Sequence, residues 1–261
     1  MKISASILTA LLSTGAGDSY TSTSFNYTLT PAPSPSNPLG NPPYPGWTSS
    51  NGPNWVGFLT TKYNASLLQT YNLAYGGATV DSDLVQPYLP TVLSLKQQVY
   101  DEFVPGYVNM TAPSAPDWSS ADTLFAVWIG INDVGNSYWK GADELAALYD
   151  QIFAVYKAAV DTLYEAGGRN FVFVNVPPVD RSPLILGQGA DAQALEKAAL
   201  ADFNGRIEKL ADGLKTSHEG DANVWTFDSS AVFTAVLDDP TTYPQTSGYK
   251  NVTAYCDAYQ K

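Results

Sequence analysis

The sequence contains almost no histidine or cysteine: its 261 residues include one of each, His218 and Cys256. A single cysteine excludes an internal disulfide. Positive charge is also scarce, because 13 lysines and arginines stand against 25 aspartates and glutamates and the formal net charge is −12. A chain this acidic is repelled by phosphate backbones and by anionic membranes, which argues against nucleic-acid and lipid-surface partners.

Long hydrophobic runs are missing too, since no segment approaches the roughly 18 apolar residues of a membrane helix. The apolar run 3–12 follows Lys2 and leads into small residues that end at Ala16. This pattern predicts a signal peptide over residues 1–16, and the alternative is a buried strand. Secretion and glycosylation are also favoured by four Asn-x-Ser/Thr sequons, which start at Asn26, Asn64, Asn109 and Asn251.

The rest of the chain alternates between short apolar segments and segments with helical spacing. We predict strands at 67–75, 124–129, 171–176 and 224–227, and helices beginning at 54 and spanning 89–104, 143–166 and 192–214. Residues 30–54 are rich in Pro, Gly and Ser and are predicted to form a long ordered loop. Apolar strands alternating with helices indicate one α/β domain, a three-layer sandwich in which helices cover both faces of a mainly parallel sheet.

Three short motifs in chain order point to chemistry. They are Gly17-Asp18-Ser19, the segment 72–79 with its Gly76-Gly77 pair, and Gly130-Ile131-Asn132-Asp133. Glycine lets a backbone N–H approach a ligand, and an asparagine amide adds a second donor, so the last two motifs fit an oxyanion hole for a nucleophilic serine. Each motif alone is compatible with an ordinary turn. Their order on an α/β frame, where ligands bind at the carboxyl ends of strands, favours a site.

On these motifs the chain resembles the GDSL (SGNH) hydrolases, and among them the secreted fungal carbohydrate esterases of family sixteen, which are acetylesterases. The resemblance implies a flavodoxin-like topology, Ser19 as nucleophile, and Asn132 with Gly77 (or, in the other register, Gly76) as oxyanion donors. It implies hydrolysis of short acyl esters on a small acylated sugar or oligosaccharide through an acyl-serine, with no metal or cofactor. We expect a monomer. Four further residues are expected to contact substrate, namely Asp18, Tyr44, Trp47 and Asp133.

The chain departs from this family in its acid and base. The family carries an Asp-x-x-His motif near its end, but here Asp257 is followed three residues later by Gln260. His218 has Lys215 at the −3 position and is expected to be a solvated residue at a helix end. We therefore expect residues 17–261 to form one domain truncated at its C-terminus, without the base and without a partner for Cys256.

Three functional hypotheses follow from this departure. The first is a serine esterase. The second is a catalytically impaired sugar-binding protein that uses the aromatic residues Tyr44, Trp47 and Trp55. The third is a truncated product that does not fold stably, because lost terminal elements would leave apolar surface exposed.

Overall fold

The computed structural model describes residues 31–41, 43–46, 48, 52–109 and 118–255, together with the backbone of residues 6–12. Several residues discussed above lie outside these described residues, namely Gly17, Asp18, Ser19, Asn26, Trp47, Cys256, Asp257 and Gln260.

Five parallel strands form one sheet in the order β2-β1-β3-β4-β5. The strands are β1 (Ser6–Leu12), β2 (Leu68–Asn72), β3 (Thr123–Trp128), β4 (Asn170–Val174) and β5 (Asn223–Phe227). This is the strand order of the flavodoxin-like doubly wound folds, and with helices on both faces it confirms the predicted fold class.

The N-terminal apolar run forms an interior strand of this sheet, second in the order. Strand β1 pairs with both β2 and β3, and Ala10 lies opposite Asn72 on one side and Ala126 on the other. In the folded chain this run therefore forms a strand of the sheet, which was the alternative to a signal peptide. A segment removed as a signal peptide could not fill this position, so cleavage after Ala16 stays a prediction that a measurement on the mature protein must test.

The helices agree with the predicted segments in most places. They are α1 (Trp55–Thr61), α2 (Leu95–Gln97), which continues as a π-helix (Gln98–Val108), α3 (Ile131–Gly135), α4 (Ala142–Glu165), α5 (Pro183–Leu186), α6 (Ala190–Ser217) and α7 (Ser229–Asp238), with 3-10 turns at Val179–Arg181 and Pro240–Thr242. The helix predicted over 89–104 begins later, because Ser94 and Gln97 form a capping box that fixes its start at Leu95. Helix α7 was not predicted.

Both faces of the sheet carry a hydrophobic core. The larger core packs the sheet against α4, α6 and the π-helix, and its centre is formed by the fully buried rings of Phe103, Tyr149, Phe171, Phe173 and Phe203. The smaller core lies on the opposite face of the sheet. It joins Leu39, and Val56 of α1, to Trp128.

Strand β5 is an exception to the predicted burial of the strands. Its residues Trp225 and Phe227 are 48% and 52% exposed. The strand forms the sheet edge, where one neighbour is absent from the order of described strands, and an apolar run in sequence does not distinguish such an edge from a central strand. Among the described helices, none is both long and apolar enough to cross a membrane.

Candidate active site

The site candidates lie at the carboxyl edge of the sheet. Because β1 lies between β2 and β3 and all three run in parallel, the loops that follow them leave the sheet side by side. The strand order changes direction here, and such switch points bind ligands in doubly wound folds. The loop after β2 carries Gly77 and the turn after β3 carries Asn132, whereas Ser19, which follows β1 by seven residues, lies outside the described residues.

Gly77 has a conformation and surroundings that require glycine. Its φ is +85°, and a Cβ atom there would lie 2.3 Å from Cε1 of Tyr88. The turn is closed by the Ala78 N–H, which donates to the Tyr75 carbonyl at 3.3 Å. Within the described part of the chain, no hydrogen bond uses the N–H of Gly77. The N–H of this glycine therefore remains a donor for a ligand.

A second glycine, Gly130, sets the direction of the turn after β3. Gly130 has φ +120°, and a Cβ atom there would lie 2.2 Å from Cε1 of Phe203 on α6. The chain enters α3 at once, which places Asn132 in the first turn of that helix. The Asn132 Nδ2 group donates a hydrogen bond of 2.9 Å to the carbonyl of Ala78. A primary amide has two N–H donors, so one is left for a ligand beside the Gly77 loop.

Asp133 holds the two loops together from beneath. Its carboxylate accepts the Val80 N–H at 3.1 Å and 3.2 Å from its two oxygens, and its side chain is completely buried. Burial raises the pKa of Asp133 to about 7, although the hydrogen bonds from backbone N–H groups, Val80 first, act in the opposite direction. Asp133 is absent from the lining of the cleft described below, and both of its carboxylate oxygens already accept the Val80 N–H. The substrate contact expected of Asp133 therefore stays a prediction, and its hydrogen bonds fit a positioning role.

Tyr44 lies beside α1. Its ring contacts Gly57, where Cε2 is 3.3 Å from the position that a Cβ atom would take, and the side chain is 41% exposed. Trp55 packs edge-on against Trp128 at a centroid distance of 6.0 Å. Among the described residues, no hydrogen bond or ring contact joins Tyr44 to Gly77 or Asn132, so a substrate contact by Tyr44 stays a prediction.

His218 lies at the opposite edge of the sheet. It follows the last residue of α6 and stacks on Tyr164 at 3.7 Å, next to Arg169, which precedes the amino end of β4. A strand rises about 3.3 Å per residue, so the five residues of β4 separate the two edges by about 16 Å. The position therefore fits a helix-end histidine and places His218 out of reach of Gly77 and Asn132.

A cleft beside Asn132 was missed by sequence reasoning. It has a volume of about 440 Å³ and is lined by residues of α3, α5, α6 and the loops between them, including Trp139, Leu184 and Glu196. Glu196 is buried, and burial, with a smaller effect from Asp180, raises its pKa to about 7. The signal in the sequence was the position of Glu196 on the apolar face of α6, four and seven residues before the buried Leu200 and Phe203.

Comparison with known proteins agrees with this geometry. The model of the family described as GDSL-like Lipase/Acylhydrolase matches residues 15–260. An acetylesterase of Thermothelomyces thermophilus is 44% identical over 230 residues, which cover 87% of this chain and 73% of that protein. An acetylesterase of Hypocrea jecorina is 27% identical over 188 residues, covering 68% of this chain and 52% of the relative.

A solved structure is similar in fold. An acetylxylan esterase from Geobacillus stearothermophilus superimposes with a TM-score of 0.51 at 15% identity, covering 100% of this chain and 92% of the other. The family match, the relative at 44% identity and the shared fold agree with one another. This chain therefore belongs to the GDSL-like lipases and acylhydrolases, a family of hydrolases that act on ester bonds.

Proposed function

We propose that the protein is an acetylesterase that removes short acyl groups from carbohydrates through an acyl-serine intermediate on Ser19. The observation that carries the proposal is the pairing of two donors, the Gly77 N–H and the Asn132 amide, through the hydrogen bond from Asn132 to Ala78. Two relatives that bear the name acetylesterase support the choice of acyl group.

In the proposed reaction the Ser19 hydroxyl attacks the ester carbonyl carbon as a base removes its proton. The carbonyl oxygen becomes an oxyanion, which accepts hydrogen bonds from Gly77, from Asn132 and from the Ser19 N–H. Collapse expels the sugar oxygen, which receives the proton, and leaves the acyl-serine. Water then adds to the acyl group, and acetate and the free serine are released.

The first test is hydrolysis of p-nitrophenyl acetate. We expect Ser19→Ala to abolish any turnover, because it removes the nucleophile, while Ser247→Ala at an exposed serine leaves it unchanged. Activity retained in Ser19→Ala would remove Ser19 from the mechanism.

A second candidate function, sugar binding without efficient catalysis, is favoured by the position of His218. A serine without its base loses roughly 10⁴- to 10⁶-fold in turnover, and the one histidine of the chain lies across the sheet from the oxyanion donors. The measurement compares the chain with a version extended by an Asp-x-x-His segment. Turnover by the extended form alone supports the second candidate for the 261-residue chain, and Ser19-dependent turnover by the chain itself contradicts it.

We further propose that the protein is exported as a glycosylated monomer. Asn109 and Asn251 are exposed, which suits attachment of a glycan, and the acidic surface suits a neutral sugar rather than a polyanionic partner. N-terminal sequencing of the exported protein tests cleavage after Ala16. Mass spectrometry before and after deglycosylation tests the glycans, and sedimentation equilibrium tests the monomer.

A further inference from the structure

The cleft beside Asn132 contains a buried acidic group, Glu196, with an oxygen that no described residue pairs with. Glu196 is 1% exposed, and its Oε2 atom accepts no hydrogen bond from any described residue. A buried polar atom without a partner costs free energy, and native proteins rarely keep one unless a ligand or water satisfies it. Because Glu196 lines the cleft, a ligand there can supply the missing hydrogen bond.

The rim of the cleft is apolar, in contrast to the acidic Glu196 inside it. Trp139 and Leu184 are large apolar side chains that are 59% and 61% exposed, and both line the cleft. An indole ring offers a flat apolar surface on which the C–H face of a sugar ring can pack. Between rim and floor, Gln188 accepts a hydrogen bond of 2.6 Å from the Tyr138 hydroxyl, which fixes the amide at the cleft wall.

The charge of the cleft selects among ligands. Asp180 is buried near Glu196, and its negative charge adds to the rise in the pKa of Glu196 that burial causes, as repulsion between neighbouring carboxyl groups would do. Anionic ligands are therefore disfavoured, and a plain hydrocarbon chain would leave Glu196 without a partner. A neutral molecule with hydroxyl groups and an apolar face satisfies both the floor and the rim.

We propose that this cleft binds the sugar of the substrate, with Trp139 packed against the ring and Glu196 hydrogen-bonded to a hydroxyl group. The inference rests on the proposed carbohydrate esterase function. Asn132 connects the cleft with the oxyanion donors, since it lines the cleft and donates a hydrogen bond to the Ala78 carbonyl beside Gly77. A sugar in the cleft thus lies next to the oxyanion donors, and the volume of about 440 Å³ is within the range of small-molecule sites.

The experiment is calorimetric titration of the 261-residue chain with xylotriose and with chitotriose, neither of which carries the ester. We expect one of them to bind. We expect Glu196→Met and Trp139→Ala to weaken that binding about tenfold or more, the loss of one buried hydrogen bond or ring contact. The matched controls are Glu208→Gln, an exposed glutamate on the same helix, and Trp225→Ala, an exposed tryptophan on β5, which should bind as the parent does.

Melting temperatures distinguish a variant that has lost sugar binding from one that has lost its fold. A carboxyl without a partner is replaced by an apolar side chain of similar length in Glu196→Met, so this variant should melt no lower than the parent while it loses the sugar. Glu196→Gln, which keeps a hydrogen-bonding group, should bind better than Glu196→Met. Equal binding by Glu196→Met and the parent overturns the inference, as does binding of hexanoate in the cleft in place of either sugar.

The failure of this inference and of the proposed function can be told apart. Ser19-dependent hydrolysis of p-nitrophenyl acetate by a chain that binds neither sugar overturns the inference and leaves the esterase standing. Sugar binding that depends on Glu196, in a chain without hydrolysis, supports the inference and counts against catalysis.

Discussion

The side-chain amide of Asn132 donates a hydrogen bond of 2.9 Å to the main-chain carbonyl of Ala78. The bond connects the turn after β3 to the loop after β2, two segments that are 54 residues apart in sequence. The bond fixes the plane of the amide, so the second N–H of Asn132 is held in one direction. Preorganised donors of this kind stabilise a developing oxyanion more strongly than mobile ones do.

Replacing Asn132 with alanine should therefore lower kcat by roughly 10²- to 10³-fold, the usual cost of one oxyanion donor. The measurement is the rate of p-nitrophenyl acetate hydrolysis at saturating ester, on whichever form of the protein turns over. Gln151→Ala, which removes an exposed amide on α4, is the matched control and should leave kcat unchanged. A value of kcat for Asn132→Ala within twofold of the parent would show that Asn132 is not an oxyanion donor.

Gly77→Ala should destabilise the loop by about 1–3 kcal/mol, because a Cβ atom both meets the ring of Tyr88 and is strained at φ +85°. Tyr88→Ala in the same chain should restore only part of this loss, since it removes the clash and leaves the strain. Urea unfolding measures both effects. Gly213→Ala is the control: this exposed glycine in α6 has open space around it, and alanine there should be neutral or stabilising.

Stability should fall as the pH rises between about 4 and 7. Burial raises the pKa of Asp133 from 3.8 to about 7, so over this interval the unfolded chain has released a proton that the folded chain still holds. The contribution of Asp133 to the free energy of unfolding is therefore highest below pH 3.8. It decreases by about 1.4 kcal/mol per pH unit until pH 7. Glu102 and Glu196, whose pKa values burial raises to about 7, act in the same direction.

Asp133→Asn should reduce this slope, because the amide does not titrate and can still accept the Val80 N–H. Denaturant titrations at pH 4, 5, 6, 7 and 8 give the slope directly. Asp212→Asn, at an exposed position of α6, should retain the slope of the parent. Identical slopes for the parent and Asp133→Asn would mean that Asp133 is already ionised in the folded protein at low pH.

Ala10→Pro should prevent cooperative folding, because proline removes an N–H from a strand that is paired on both sides. Ala10→Gly is the control, since it also removes the methyl group but keeps the N–H, and it should cost only about 0.5–1 kcal/mol. Thermal unfolding followed by circular dichroism distinguishes them. A chain without residues 1–16 should resemble Ala10→Pro, and a sharp melt of that shortened chain would show that β1 is dispensable and that a signal peptide can be removed there.

Local sequence patterns were sufficient for most elements of the fold. Segment 124–129 is apolar at every position and segment 171–176 at every position except Asn175, which is typical of strands buried on both faces, and they became β3 and β4. The helix over 143–166 was predicted within one residue at each end because its apolar face recurs with helical spacing and glycines follow it. The helix predicted over 89–104 was not recognised as a π-helix at 98–108, and helix α7 was not predicted, since their hydrogen bonding depends on neighbours that the local pattern does not record.

The sequence by itself determined the fold class, the motif order and the acidic surface, because these depend on which residues stand next to one another in the chain. Only the tertiary structure decided that Gly77 and Asn132 share one edge, that His218 lies at the other, and that Asp133 is sealed beneath the loops. It also decided that the run 6–12 is an interior strand between β2 and β3, and that the Oε2 atom of Glu196 has no hydrogen-bond partner among the described residues. The physical reason is that burial and proximity arise from packing between segments far apart in the chain, which no local pattern specifies.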